Sequence, residues 1–160
     1  MKFKTTPYHH DLLKDTDRLS VFYQAIQEYD SNCDVAYDLG CGSGILSYFL
    51  TSKFDEIISL EIDRKAYNCA KENLADFENV QVINSDVLEY DFNNDADLIV
   101  CEMLDTALID EEEIPVLNHA KKFLKDNGKI IPQAIINTVE LVNMERHHIH
   151  WDEGANYESL

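Results

Sequence analysis

An apolar run that ends in an acid leads directly into three glycines at alternate positions in the stretch VAYDLGCGSGILSYF, residues 35–49. Glycine loses more backbone freedom on folding than any other residue, so Gly40, Gly42 and Gly44 together need a reason. Their flanks supply one. An extended apolar segment enters, a helical pattern leaves, and the glycines occupy the turn between them. In such a turn Gly40 and Gly42 carry no side chain to block a ligand from the backbone, and Gly44 lets the helix pack closely on the strand.

The rest of the chain repeats this alternation. Residues 15–29 carry an apolar stripe at Leu19, Phe22, Tyr23 and Ile26, which predicts a helix. Short apolar runs at 33–39, 56–62, 80–86 and 96–102 read as strands, and 44–53, 63–77 and 112–128 as helices. Gly128 is expected to cap the last of these, followed by one or two further strands over 129–142. Strands alternating with helices of this length predict an α/β fold, a mostly parallel sheet with helices on both faces. Ligands of such sheets bind beyond the carboxyl ends of the strands. Asp38, Glu61, Asp86 and Glu102 each end a different predicted strand, so they are expected along one edge with Gly40.

At 160 residues the chain can bury one core, and 45% apolar with 28% charged residues suits a globular domain. The N-terminus shows no signal-peptide apolar region, and no apolar run reaches the ~20 residues of a membrane span. Four scattered cysteines, three inside apolar runs, read as reduced core thiols, so a cytoplasmic protein is expected. A net charge of −18 repels phosphate backbones; it argues against nucleic acid as a partner and favours a basic one. His147, His148 and His150 in ERHHIHWDE have spacing that suits one strand poorly as metal ligands, so no metal is expected.

Two features sharpen the reading of the glycine turn. An acid, Asp38, precedes the first glycine, where a dinucleotide-binding turn would bring pyrophosphate. Glu61 follows 17 residues after Gly44, where a carboxylate suits the two hydroxyls of a ribose. The ligand this describes is a nucleoside with a cationic tail and no phosphates, and S-adenosylmethionine fits. The ordered set Asp38, Gly40, Gly42, Gly44, Glu61 and NSD ending in Asp86, with Val87 beside it as a further cofactor contact, resembles the class I methyltransferases. The resemblance implies a Rossmann-like sheet over 31–140 and Asp86 against the adenine.

The flanking segments resemble the catalytic core of the protein arginine methyltransferases. HHDLLKDTDRL, with His9, Leu12, Leu13, Asp15 and Arg18, matches that family's His-x-x-Met-Leu-x-Asp-x-x-Arg pattern. The resemblance implies a helical segment over 1–30 covering the cofactor and Arg18 gripping the cofactor carboxylate. It also implies that Glu102 and Glu111, nine residues apart in CEMLDTALIDE, are the paired glutamates that hold an arginine side chain. Two carboxylates suit a planar guanidinium with forked donors. Residues 141–160, with IHW at 149–151, resemble the start of the family's second domain, and a homodimer is a further expectation. The chain departs from the family where Met103, Leu104, Asp105 and Thr106 replace Trp-Met-Gly-Tyr. That leaves open a small-molecule or different protein acceptor, or a module that binds S-adenosylmethionine without catalysis.

Overall fold

Residues 3–29, 33–104 and 111–138 are described by a computed structural model. The predicted elements 141–160, including the three histidines, lie outside these residues.

Five strands form one sheet: β1 (Cys33–Leu39), β2 (Phe54–Leu60), β3 (Val80–Ile83), β4 (Ala96–Cys101) and β5 (Leu124–Ile131). The order is β3-β2-β1-β4-β5 and every pairing is parallel. The helices are α1 (Pro7–Lys14), α2 (Thr16–Glu28), α3 (Ile45–Leu50), α4 (Arg64–Asn73) and α5 (Glu113–Ala120). β1 lies centrally, its register set by Leu39 opposite Leu60 on one side and Cys101 on the other. Both faces of the sheet are covered, so β4 is buried along its whole length, and after Asp97 it runs apolar from Leu98 to Cys101. Tyr37, Leu39, Leu60, Ile99 and Cys101 meet Val116 and Ala120 of α5 on one face. Ala36, Ile57, Leu98 and Val100 meet Ile26 of α2 and Leu46 and Leu50 of α3 on the other.

The last predicted helix is corrected. It stops at Ala120, a 3-10 turn covers Lys121–Phe123, and Gly128 lies inside β5. Phe123 and Leu124 are drawn onto the core beside β4, which helical continuation would prevent. Between paired positions β4 advances from Ala96 to Leu98 while β5 advances from Leu124 to Lys129. A Cβ at Gly128 would stand 2.6 Å from Leu124 Cδ1, so the glycine permits this bulge rather than capping a helix.

Asp97 ties the amino ends of three strands. Its carboxylate accepts the N–H groups of Asp34 and Val35 at 3.0 Å and the Lys125 ammonium at 2.9 Å. Burial pushes this carboxyl up, but the backbone donors and Lys125 outweigh it and hold it below its ordinary range.

Asp38 sits near the other end of β1, fully buried. It accepts from Ser47 Oγ of α3 at 2.5 Å, and Ser47 Oγ lies 2.8 Å from Ser59 Oγ of β2. Burial pushes the Asp38 carboxyl up, the Ser47 donors pull it down and the Glu61 and Glu102 charges push it up, which together leave it raised to about 7. An unfolded aspartate titrates near ~4, so the folded state holds an extra proton between about pH 4 and 7. The stability this contributes is fully present below pH ~4 and is lost as pH rises through about 7. Asp38→Asn removes the linkage. Urea unfolding from pH 5 to 6.5 should show the variant gaining on the native chain by on the order of 1 kcal/mol per pH unit. A difference that stays flat with pH would mean that Asp38 is ionised throughout.

Candidate functional site

The order β3-β2-β1-β4-β5 reverses direction at β1: the chain moves outward through β2 and β3, then returns to place β4 on the other side. Loops leaving β1 and β4 therefore diverge, and a crevice opens at their carboxyl ends. A cleft of about 660 Å³ occupies this position, within the usual size of a small-molecule site. The glycine turn, Glu61–Asp63 after β2 and Glu102–Leu104 after β4 line it, with Thr6–His9, Leu12, Leu13 and Arg18 from the N-terminal helices and Glu111.

The turn is held by backbone geometry. Gly40, Gly42 and Gly44 have φ of +72°, +55° and +86°, a region L side chains rarely adopt. The N–H groups of Gly40 and Cys41 both donate to the Leu60 carbonyl at 2.9 Å. A Cβ at Gly42 would stand 3.0 Å from the His9 ring, and one at Gly40 would stand 2.8 Å from Met103 Sδ. Gly44 makes room for Leu74 and Ala70 on the α4 side, at 2.7 and 3.3 Å, so the helix it admits is α4.

Glu61 is buried, and both its oxygens take backbone donors. Oε2 accepts Gly42 N–H and Oε1 accepts Asp63 N–H, each at 2.7 Å. A carboxylate offers about four lone-pair sites, so acceptor capacity remains toward the cleft. Asn84 braces the same loop by donating to the Glu61 and Ile62 carbonyls at 2.8 and 2.9 Å.

Arg18 donates from Nη1 to Glu102 Oε2, and from Nη2 to the Leu12 carbonyl at 3.2 Å. Its Nε is buried and has no hydrogen-bond partner among the described residues. Burial pushes the Glu102 carboxyl above its ordinary range; the Arg18 guanidinium pulls against that, Glu111 adds to the push, and His9 opposes it. Glu111 is thus close enough to act on Glu102, though it is exposed where Glu102 is largely enclosed.

Of the residues expected from sequence, Arg18, Gly40, Gly42, Glu61, Glu102 and Glu111 come together around the cleft. Three do not line it. Asp38 lies beneath the turn on the Ser47–Ser59 network. The Asp86 carboxylate accepts Leu88 N–H at 2.8 Å and caps the 3-10 turn Val87–Glu89, and Val87 is packed in the core under α5. Sequence reasoning passed over Met103 against Gly40 and the start of α1. The second had a signal: Thr6 followed by Pro7 is an N-cap with proline at the first helical position. Cys41 and Cys101 are buried, with burial raising both thiols, so neither serves as a nucleophile.

Comparison with known proteins places this site in context. The methyltransferase domain family matches residues 36–128. An uncharacterised protein of Methanothermobacter thermautotrophicus is 48% identical over 99% of the chain, which spans 63% of that relative's length. Protein arginine N-methyltransferase 7 of Gallus gallus is 30% identical over 85% of the chain and 22% of its own length. Among solved structures, the Trypanosoma brucei PRMT1 enzyme–prozyme heterotetrameric complex with AdoHcy superposes with a TM-score of 0.71 at 25% identity, covering 78% of this chain and 41% of that one. The family match begins in β1, spans the glycine turn and ends in β5, and with it the chain belongs to the class I S-adenosylmethionine-dependent methyltransferases, resembling the catalytic core of the protein arginine methyltransferases.

Proposed function

We propose that this chain forms the catalytic core of a methyltransferase that transfers a methyl group from S-adenosylmethionine to an arginine-type guanidinium on a basic protein. The observation that carries the acceptor is the occupant of Glu102: it already holds a guanidinium, that of Arg18, in the same cleft as the glycine turn and Glu61. The named arginine methyltransferases among the relatives support the reading. So does the net charge of −18, which favours a basic protein over nucleic acid. Association into an oligomer is part of the proposal, supported by the heterotetrameric neighbour.

The residues fit the cofactor on three observations. The positive-φ turn leaves Gly40 and Gly42 bare, Glu61 keeps lone pairs toward the cleft, and Arg18 Nε is a buried donor without a partner among the described residues. When bound, the sulfonium supplies an electrophilic methyl group. Glu61 would accept the ribose hydroxyls and Arg18 would pair with the cofactor carboxylate, while Asp38 supports the turn from below; Asp86 and Val87, with side chains spent on the cap and the core, would serve the adenine only through their backbone. Glu102 and Glu111, both lining the cleft, would accept the forked N–H donors of the acceptor and hold one nitrogen toward the methyl donor. Their charge also raises electron density on that nitrogen, so positioning and electrostatics carry the rate. The segment from Met103 favours a second reading, an acceptor other than arginine, because Met103 and Thr106 stand where the arginine enzymes carry the aromatic residues of Trp-Met-Gly-Tyr.

Glu61→Gln should weaken S-adenosylhomocysteine binding by about 1.5–3 kcal/mol in isothermal titration, because an amide has one acceptor oxygen for donors that a carboxylate serves with two. Unchanged affinity would remove Glu61 from the ribose role, and tighter binding of NADH would overturn the cofactor.

Glu102→Gln and Glu111→Gln keep shape and lose charge. Each should leave S-adenosylhomocysteine affinity nearly unchanged yet cut transfer to an arginine-rich protein by about 30- to 1000-fold, or ~2–4 kcal/mol. The double variant should cost less than the sum, because both groups hold one ligand. Full activity in Glu111→Gln with loss only in Glu102→Gln would exclude a guanidinium held between them and favour the second reading.

A further inference from the structure

Helix α1 roofs the cleft without being anchored by a core of its own. It buries none of its residues, yet Tyr8, His9, Leu12 and Leu13 all face the cleft, and the His9 ring lies against the bare Cα of Gly42. A helix of 8 residues has little intrinsic stability in water, so its position must come from tethers at its ends. The Arg18 bond to the Leu12 carbonyl holds the far end. Among the described residues, the buried hydrogen bonds at the near end come from Asn73, the last residue of α4, beside an edge contact of the Phe3 ring with Tyr48.

The Asn73 amide is buried and fully used. Oδ1 accepts Lys4 N–H at 2.7 Å. Nδ2 donates to the Lys4 carbonyl at 2.7 Å and to the Ser43 carbonyl at 2.8 Å. It therefore pairs with the backbone of Lys4 as a neighbouring strand would, and in the same stroke grips the glycine turn. One side chain spans the floor of the cleft and the tether of its roof.

We propose that Asn73 is a positioning residue that seats α1 over the glycine turn and thereby sets cofactor affinity. The proposal rests on the cleft being the cofactor site. Its physical basis is a population effect: a ligand that needs α1 in place binds more weakly in proportion to the fraction of molecules in which α1 is seated. The Lys4 side chain contributes little, because its ion pair with Glu72 is exposed on both sides.

The test compares Asn73→Ala, Lys4→Pro and Lys4→Ala. Hydrogen–deuterium exchange is read over residues 3–14, and S-adenosylhomocysteine affinity by titration. Asn73→Ala removes the whole clamp. Lys4→Pro deletes the N–H that donates to Oδ1 together with the exposed ion pair, for which Lys4→Ala is the control, and it keeps the test open if the buried Asn73→Ala variant fails to fold. Lys4→Ala keeps both backbone groups and loses the exposed ion pair. Asn73→Ala and Lys4→Pro should each speed exchange over 3–14 and weaken binding about tenfold, as expected if the seated fraction falls to roughly a tenth. Lys4→Ala should match the native chain in both, and exchange in β1 and β4 should not move in any of the three. Unchanged exchange over 3–14 in folded Asn73→Ala or in Lys4→Pro overturns the clamp. Faster exchange there with unchanged affinity overturns its effect on binding. If the native chain binds no S-adenosylhomocysteine, the cofactor reading fails instead, and exchange over 3–14 still decides whether Asn73 holds α1.

Discussion

The carboxylate of Glu61 fixes the turn on which the site is built. Three of this loop's five residues are glycines at positive φ with no side chain to hold its shape, and its N–H groups need partners as much as any others. Glu61 supplies them from the next strand, with one oxygen on Gly42 and the other on Asp63. The loops after β1 and β2 thereby become one unit. A charge-assisted contact of this kind, largely withdrawn from water, is worth more than an exposed one. The Leu60 carbonyl completes the arrangement by receiving Gly40 and Cys41.

This unit is presented at one edge because every strand runs the same way. Parallel pairing delivers each strand's last residue to the same rim, and covering both faces leaves the strand ends as the places where polar groups of the sheet meet solvent without disturbing the core. Asp38 is the exception that explains the rule. It stands one residue short of the end of β1, inside the sheet, and so accepts from Ser47, itself bonded to Ser59, instead of from a ligand. Glu102 stands one residue past the end of β4 and reaches the cleft. A shift of one or two positions along a strand decides whether a carboxylate acts as a brace or as a contact.

The sheet was legible in the sequence because alternation of apolar runs and helical stripes is a long-range pattern that local accidents do not erase. β1, β2, β4 and the glycine turn fall where the pattern puts them. Residues 112–128 failed because a helical stripe and a strand that begins at Leu124 share their apolar residues, and only the packing of Phe123 and Leu124 beside β4 decides between them. Gly128 then misled: a glycine that ends a helix and one that permits a bulge look alike in a sequence. In the site, acids at strand ends could be placed, but whether each side chain turned outward or inward could not. Asp86 shows this, since its capping of Leu88 depends on a 3-10 turn with no apolar signature. Asn73 gave no sign at all, because its partners are backbone atoms far away in the chain.

Asp97 has its consequence at the opposite rim. There the carboxylate, the Lys125 ammonium and the first N–H groups of β1 form a self-contained knot that touches nothing in the cleft. Folding information and chemical information are thus stored at opposite poles of the same strands. A lineage carrying this domain can rewrite the loops at the carboxyl pole, exchanging Met103 or Leu104 for other side chains, while the amino pole keeps the sheet in register. Such a division lets acceptor preference drift among descendants without each step passing through an unfolded ancestor.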